Sequence, residues 1–388
     1  MGGRAARGAR PLAPRFGVKY RRVTLAVVDQ SSGCVAGPAS VRRSGLGAGA
    51  SCIGIIANPV SARDIRRVIA HANNLQIADR VNILLRLLAS AGSCGVDRVL
   101  VMPDRGGISA MLSRSLEREG RISPRFPQVE FLDMEVSSTV DDTFRAARLM
   151  REAGVEAIVV LGGDGTHRAV VRECGNVPIA GLSTGTNNAF PEMREPTITG
   201  MAVGLYASGR LTVDQALMPN KVLEVLIDGD RRRDIALVDA VISTERCIGA
   251  RALWKTENLR ALYVTYADPE AIGMSAIAGL LEPIGRREPG GCAVELTDDP
   301  ACRRVVLHAP IAPGMVRPVS VASWTRMEAD RPVRVAEEAG VVALDGEREL
   351  EFDRGDVVTI TLRENAFRTV DVSRCMRIAA ASGLFRTM

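Results

Sequence analysis

The sequence predicts an α/β domain on a mostly parallel sheet, followed by an all-β domain read as a sandwich. Three observations carry this. From about residue 51 to 210, apolar runs of strand length alternate with apolar residues at helical spacing, the pattern of βαβ units. Two successive strands there, ending at Leu161 and Leu182, run into turns of small residues. Beyond residue 211 helical spacing fades and short β-rich stretches separated by turns take over.

The elements follow in order. Residues 1–50 are rich in Gly, Ala, Arg and Ser without helical periodicity, and they read as a disordered basic extension. Order begins with Ile53-Gly54-Ile55-Ile56-Ala57-Asn58-Pro59, a buried strand stopped by Asn-Pro. Ile65, Val68, Ile69 and Ala72 recur at helical spacing and carry Arg66-Arg67, and Val81, Leu84, Leu85 and Leu88 mark a second helix. Val96 to Met102 and Val129 to Leu132 are strands. Thr139-Val140-Asp141-Asp142 reads as a capping box opening a helix through Met150. Val155 to Leu161 is a strand, and so is Val177 to Leu182. In the second half, Val222 to Ile227, Ile235 to Ile242, Val305 to Leu307, Val319 to Val321, Val341 to Leu344 and Val357 to Leu362 read as strands. The expected units are 51–210 (α/β) and 211–365 (sandwich). A last segment, 366–388, is placed apart, with a return to the first domain left open.

Composition narrows the function. The chain has 388 residues, 46% hydrophobic and 24% charged, as expected of a globular protein. Aromatic residues are only 4%, which argues against stacking platforms for nucleic acid. The net charge of +5 is misleading. Residues 1–50 hold nine Lys and Arg and one acid, so the rest of the chain carries −3 and makes no case for a nucleic-acid partner. Eight cysteines form no C-x-x-C pair and the three histidines are far apart, so neither a zinc site nor a disulfide framework is indicated. Free thiols in a chain of this size fit a reducing cytoplasm. No apolar run is long enough for a membrane span. Association into a homo-oligomer is left open.

The chemistry gathers at the turns. Ile158-Val159-Val160-Leu161 ends abruptly in Gly162-Gly163-Asp164-Gly165-Thr166. Glycines permit positive φ and let backbone N–H groups approach an anion, helped by the positive end of the helix that follows. Asp164 is the one side chain in the turn proper fit to take a proton from a hydroxyl or to hold Mg²⁺. Gly and Asp are also common in ordinary β–α turns. His167 beside it reads as a packed or surface residue before a catalytic one. The second turn, Gly185-Thr186-Asn187-Asn188, offers groups suited to sugar or phosphate oxygens, or a helix-capping loop. Leu344-Asp345-Gly346-Glu347-Arg348 is first of all a hairpin, in which spacing alone makes Glu347 solvent-facing. Arg66 and Arg67 could reach a polyphosphate, although basic helix faces are usually just solvated, and Trp254 reads as core.

Together these motifs resemble the superfamily of NAD kinases and diacylglycerol kinases, and most closely its acetoin catabolism protein X branch. The stretches that carry the likeness are 54–59, 161–168, 182–191, 249–254 and 272–279, and it spans about 53 to 375. The resemblance implies an N-terminal Rossmann-like α/β domain and a C-terminal β-sandwich, with the site between them. It implies an ATP-dependent kinase, with Mg²⁺ and with NAD as the acceptor that becomes NADP. Gly162, Gly163, Gly165 and Thr166 would bind the nucleotide, together with Gly185, Thr186, Asn187, Asn188 and Asp239. Asp164 would activate the acceptor hydroxyl. In the lipid-kinase relatives the Glu of Asp-Gly-Glu is a catalytic-base candidate, which makes Glu347 a site residue. Two departures stand out. NAD kinases carry an Asn before the acid on the first sandwich hairpin, where this chain has Val238-Asp239. The residues before Ser275-Ala276, Thr265 to Glu270, have lost a Gly-Ser-Thr stretch. These departures prompt two alternatives: a kinase of a lipid or small polyol, or a non-catalytic nucleotide-binding regulator linked to acetoin catabolism.

Overall fold

The computed structural model describes residues 50–59, 75–120, 126–184, 188–229, 231–245 and 256–386. Most of the basic extension, Arg66-Arg67, Gly185-Thr186-Asn187 and 249–254 lie outside the described residues.

The first half alternates strand and helix. Its elements are β1 (Cys52–Ile56), α1 (Ile77–Ser93), β2 (Arg98–Val101), α2 (Ile108–Gly120), β3 (Gln128–Phe131), α3 (Asp141–Glu152), β4 (Ala157–Gly162), α4 (Asp164–Cys174), β5 (Ile179–Ser183) and α5 (Pro196–Ala207). These five strands are parallel, in the order β3-β2-β1-β4-β5. That is the doubly wound order, and it reverses between β1 and β4, where such sheets bind ligands beyond their carboxyl ends. The Gly-rich turn follows β4 directly.

Period-2 alternation explains how β4 serves both faces. Val159 and Leu161 pack into one core with Leu84, Leu88 and Leu205. Ile158 and Val160 pack into the other with Met150, Val170 and Cys174. Every residue of the strand is buried, which is why it reads as an unbroken apolar run.

The short helix α6 (Val213–Ala216) leads into the β-rich half. Its strands are β6 (Leu217–Ile227), β7 (Arg232–Ala236), β8 (Asp239–Ser243), β9 (Leu259–Val264), β10 (Gly291–Leu296), β11 (Val305–Ala312), β12 (Met315–Met327), β13 (Val333–Arg334), β14 (Gly340–Leu344), β15 (Glu347–Phe352) and β16 (Val358–Val370). A short helix, α7 (Ser275–Leu281), lies between β9 and β10, and α8 (Val372–Ala381) is the last of these elements. One layer of the sandwich continues the parallel sheet: β16 pairs with β5 at Thr369↔Ile179, and β6 and β7 follow antiparallel. The other is a second sheet in the order β11-β12-β10-β9-β8-β14-β15. Leu223, Val225 and Ile360 of the first layer meet Ala240, Ile242 and Phe352 of the second. Val372, Cys375 and Ala379 of α8 pack into the core of the α/β half.

The capping box expected at Thr139 is not formed. The N-cap is Val140, without a side-chain cap. The Asp142 carboxylate instead accepts from the Ser137 N–H and hydroxyl and from the Ser138 N–H, at 2.7–2.8 Å. These donors and Arg145 pull its pKa down against the cost of burial.

Candidate active site

Asp164 is the first residue of α4, and its carboxylate faces the second turn. Oδ1 accepts from the Phe190 N–H at 2.9 Å and Oδ2 from the Ala189 N–H at 3.0 Å. The two N–H groups, one on each oxygen, fix its orientation. The two turns singled out in the sequence are joined through this side chain.

The glycines are required by space. Gly162, Gly163 and Gly165 are absent from the left-handed region, and Gly163 has φ −95°. A Cβ on Gly162 would lie 2.5 Å from the Thr166 Cβ, and one on Gly163 would lie 2.8 Å from Asn188 Oδ1. Thr166 is buried there, and Asn188 is oriented by donating Nδ2 to Ser183 Oγ at 2.7 Å. A Cβ on Gly165 would meet the Glu347 carboxylate at 3.7 Å. The expectation that glycine supplies positive φ at this turn is corrected: it supplies room.

Glu347 is brought in by its hairpin. Asp345 (φ 51°) and Gly346 (φ 81°) form a two-residue loop, with Leu344 paired to Glu347. Two long-range attachments hold this loop. The Asp345 carboxylate accepts from the N–H groups of Leu237 (3.0 Å), Val238 (2.8 Å) and Asp239 (3.4 Å), at the crossing between the two sheets. From the other side, Arg168 of α4 reaches Glu349 at 2.6 Å, Asp234 at 3.3 Å and Asp345 at 3.7 Å. Glu347 is therefore half-buried against Gly165, not solvent-facing as spacing alone suggests.

Burial, reinforced by the charge of Asp164, pushes the Asp345 carboxyl up to about 7 against the pull of Arg168 and the N–H donors. His167 is fully buried. Its Nδ1 lies 2.8 Å from the Gly163 carbonyl oxygen, and desolvation pushes its pKa down to about 4. It is a neutral support for the turn. The Tyr266 hydroxyl donates to the Ala189 carbonyl at 2.7 Å. Burial pushes its pKa up; Arg286 opposes this, and Asp164, Asp345 and Asp239 add to it. Asp239 therefore belongs to the same acidic surroundings.

The described geometry thus gathers Gly162, Gly163, Asp164, Gly165, Thr166, Asn188, Glu347 and Asp239. Arg168, Arg286 and the buried carboxylate of Asp345 are groups around this candidate site that sequence reading did not single out. Arg168 left one signal, a charged residue followed directly by the apolar pair Ala169-Val170. Among the described residues, no group of three or more His, Cys, Asp or Glu side chains is arranged to hold a metal ion. Also among them, no helix is long and apolar enough to cross a membrane.

Residues 53–210 match the ATP-NAD kinase N-terminal domain, and residues 221–365 match the acetoin catabolism protein X C-terminal domain. The chain is 63% identical over 352 residues to acetoin catabolism protein X of Cupriavidus necator, covering 89% of this chain and 98% of that one. It is 25% identical over 223 residues to the NAD kinase of Thermoplasma acidophilum, covering 56% of this chain and 74% of that one. A crystal structure of yeast NADH kinase complexed with NADH aligns with a TM-score of 0.44 at 12% identity, over 88% of this chain and 90% of that one. The chain belongs to the acetoin catabolism protein X family, whose N-terminal half is of the ATP-NAD kinase type.

Proposed function

We propose that this chain is an ATP-dependent phosphotransferase of the NAD kinase-like class, acting on a hydroxyl activated by Asp164, with NAD as the first acceptor to test. One observation carries the reading. A carboxylate held at both oxygens by backbone N–H groups stands at a helix N-terminus, in a glycine-rich turn whose glycines are required by the close approach of Thr166 and Asn188. In-line transfer asks little covalent work of the protein. It needs positioned phosphates and a group to orient and deprotonate the acceptor. Gly162, Gly163, Gly165, Thr166, Asn188 and Asp239 take the nucleotide-binding roles in this proposal, with the second-turn residues Gly185, Thr186 and Asn187. Mg²⁺ is commonly held by substrate phosphates and one or two carboxylates, and Asp164 and Glu347 are the carboxylates beside the turn. We extend the proposal to a reducing cytoplasmic setting, which the free thiols of the buried cysteines fit.

The test is direct. Purified protein with ATP, Mg²⁺ and NAD should form NADP, read by an NADP-specific cycling assay, and Asp164→Asn should abolish it. No NADP above a blank removes NAD as acceptor.

A second reading keeps the kinase and changes the acceptor to a lipid or small polyol. It is favoured by Val238, which stands where NAD kinases carry an Asn and is only 1% exposed. Transfer from γ-labelled ATP across a panel of hydroxyl compounds separates the two. Tight NAD binding in calorimetry with no turnover on any acceptor would instead support a nucleotide-binding regulator linked to acetoin catabolism.

A further inference from the structure

We propose that Arg286 is a positioning residue for Asp164, a claim that rests on the phosphotransferase reading. Arg286 lies in the loop between α7 and β10, more than a hundred residues from Asp164 and on the side of the second sheet. Its Nη1 donates to the Phe190 carbonyl at 2.8 Å and its Nη2 to the Ala189 carbonyl. The N–H groups of those same two residues hold the Asp164 carboxylate. One dipeptide therefore has its amides on an anion and its carbonyls on a cation. Hydrogen bonds in such a chain polarise and strengthen one another.

The clamp is needed because Ala189 and Phe190 belong to no helix or strand, so no ladder fixes their peptide planes. The guanidinium is itself held. Its centre lies 4.6 Å from the Tyr266 ring centroid and 5.6 Å from that of Phe190, and the Tyr266 hydroxyl donates to the Ala189 carbonyl. A planar fork that stacks on a ring while donating to two carbonyls is a task for arginine, which lysine performs only in part. The aim of Asp164 in the α/β half is thus set by a cation delivered from the other half.

Arg286 acts through the peptide and does not touch the reacting atoms. Its loss widens the range over which Asp164 points, and a misplacement of about 1 Å costs roughly 100-fold in rate. Wild type, Arg286→Ala and Arg286→Lys are compared in steady-state transfer from labelled ATP. Expected for Arg286→Ala are a kcat lower by roughly 100-fold, an unchanged KM for ATP and partial rescue by added guanidinium ion. An unchanged kcat or an effect confined to KM overturns the claim. Should Arg286→Ala fail to fold by circular dichroism, Arg286→Lys is measured against the same outcomes.

A readout without turnover separates this claim from the function it rests on. With ¹⁵N-Ala and ¹⁵N-Phe labelling, the amide protons of Ala189 and Phe190 should shift in Arg286→Ala toward their positions in Asp164→Asn. Wild type inactive on every acceptor but showing that shift rejects the phosphotransferase and keeps the positioning role. Active wild type with unaltered amides and kinetics in Arg286→Ala rejects the positioning role alone.

Discussion

Arg168→Met removes a guanidinium that ties α4 to the Asp345-Gly346-Glu347 hairpin, and its effect on stability can be worked from the structure. The Arg168 side chain is 8% exposed and faces three carboxylates, Glu349, Asp234 and Asp345. Methionine keeps the apolar stem and deletes the charge. Asp234 retains Arg172 at 3.1 Å, and Glu349 is partly exposed, so both have recourse. Asp345 has a fully buried side chain and loses its nearest cation. Above about pH 7, where Asp345 is ionised, breaking a buried pair from one side costs about 3–5 kcal/mol. In a chain of this size that lowers the melting temperature by roughly 10 °C.

The pH dependence sharpens the test. The Asp345 carboxyl is raised from 3.8 to about 7 in the folded protein. Between those values the folded state binds more protons than the unfolded, so this group's contribution to stability falls as pH rises through about 7. Without Arg168 the ionised form is harder still to bury. The gap between wild type and Arg168→Met should therefore be smaller at pH 5 and widest at pH 8. Urea denaturation at both pH values measures it. A loss below about 1 kcal/mol at pH 8, the value of an exposed pair, or equal losses at both pH values, refutes the account of the hairpin's attachment.

Two further predictions separate room from fold and neutrality from catalysis. Gly162→Ala forces a Cβ to 2.5 Å from Thr166 and should cost about 1–3 kcal/mol in urea denaturation. Gly165→Ala meets Glu347 only at van der Waals distance, so it should keep stability while lowering phosphoryl transfer; equal destabilisation by both removes the distinction. His167, pushed down to about 4, should show no imidazole titration between pH 5 and 8 by NMR. Its depressed pKa gives stability that is full above about 6.5 and lost as pH falls toward 4. An NMR pKa near 6.5 would mean that solvent reaches the ring.

The strand and turn at 157–166 were legible because a fully buried parallel strand is apolar throughout and stops where the glycine-rich turn begins. Glu347 was not legible from spacing. A two-residue Asp-Gly hairpin is a local signal, but what turns it toward Gly165 is a set of contacts from Arg168 and from the Leu237–Asp239 crossing. Ion pairs formed so far apart in the chain leave no periodic trace. The same holds for Arg286, in a loop whose sequence announces nothing. Val357 to Leu362 was legible as a strand, but its continuation past a register break to Val370 beside β5 depends on the partner strands. The error at Thr139 has a local cause: two serines just upstream competed successfully for the acid meant to close the box.

The departures from the NAD kinase pattern acquire a physical meaning in this fold. Val238 packs in the core with Phe190 and Tyr266, and its N–H is taken by Asp345. The Thr265 hydroxyl is buried and donates to the Leu237 carbonyl at 2.7 Å, and the Tyr266 hydroxyl is engaged with Ala189. Side chains at these positions therefore brace the sheet crossing and the Asp164 clamp. A site that reads a substrate hydroxyl or amide gains its selectivity from polar groups left unpaired until that substrate arrives. Here the Thr265 and Tyr266 hydroxyls are already paired, whereas the buried Ser275 hydroxyl has no hydrogen-bond partner among the described residues. Under the proposed function, phosphate and acceptor are handled by separable parts of the chain, and the acceptor part is the one that departs from the NAD kinase pattern. An acceptor panel headed by NAD is therefore the experiment on which the reading turns, because the phosphate half alone would serve any hydroxyl that reaches Asp164.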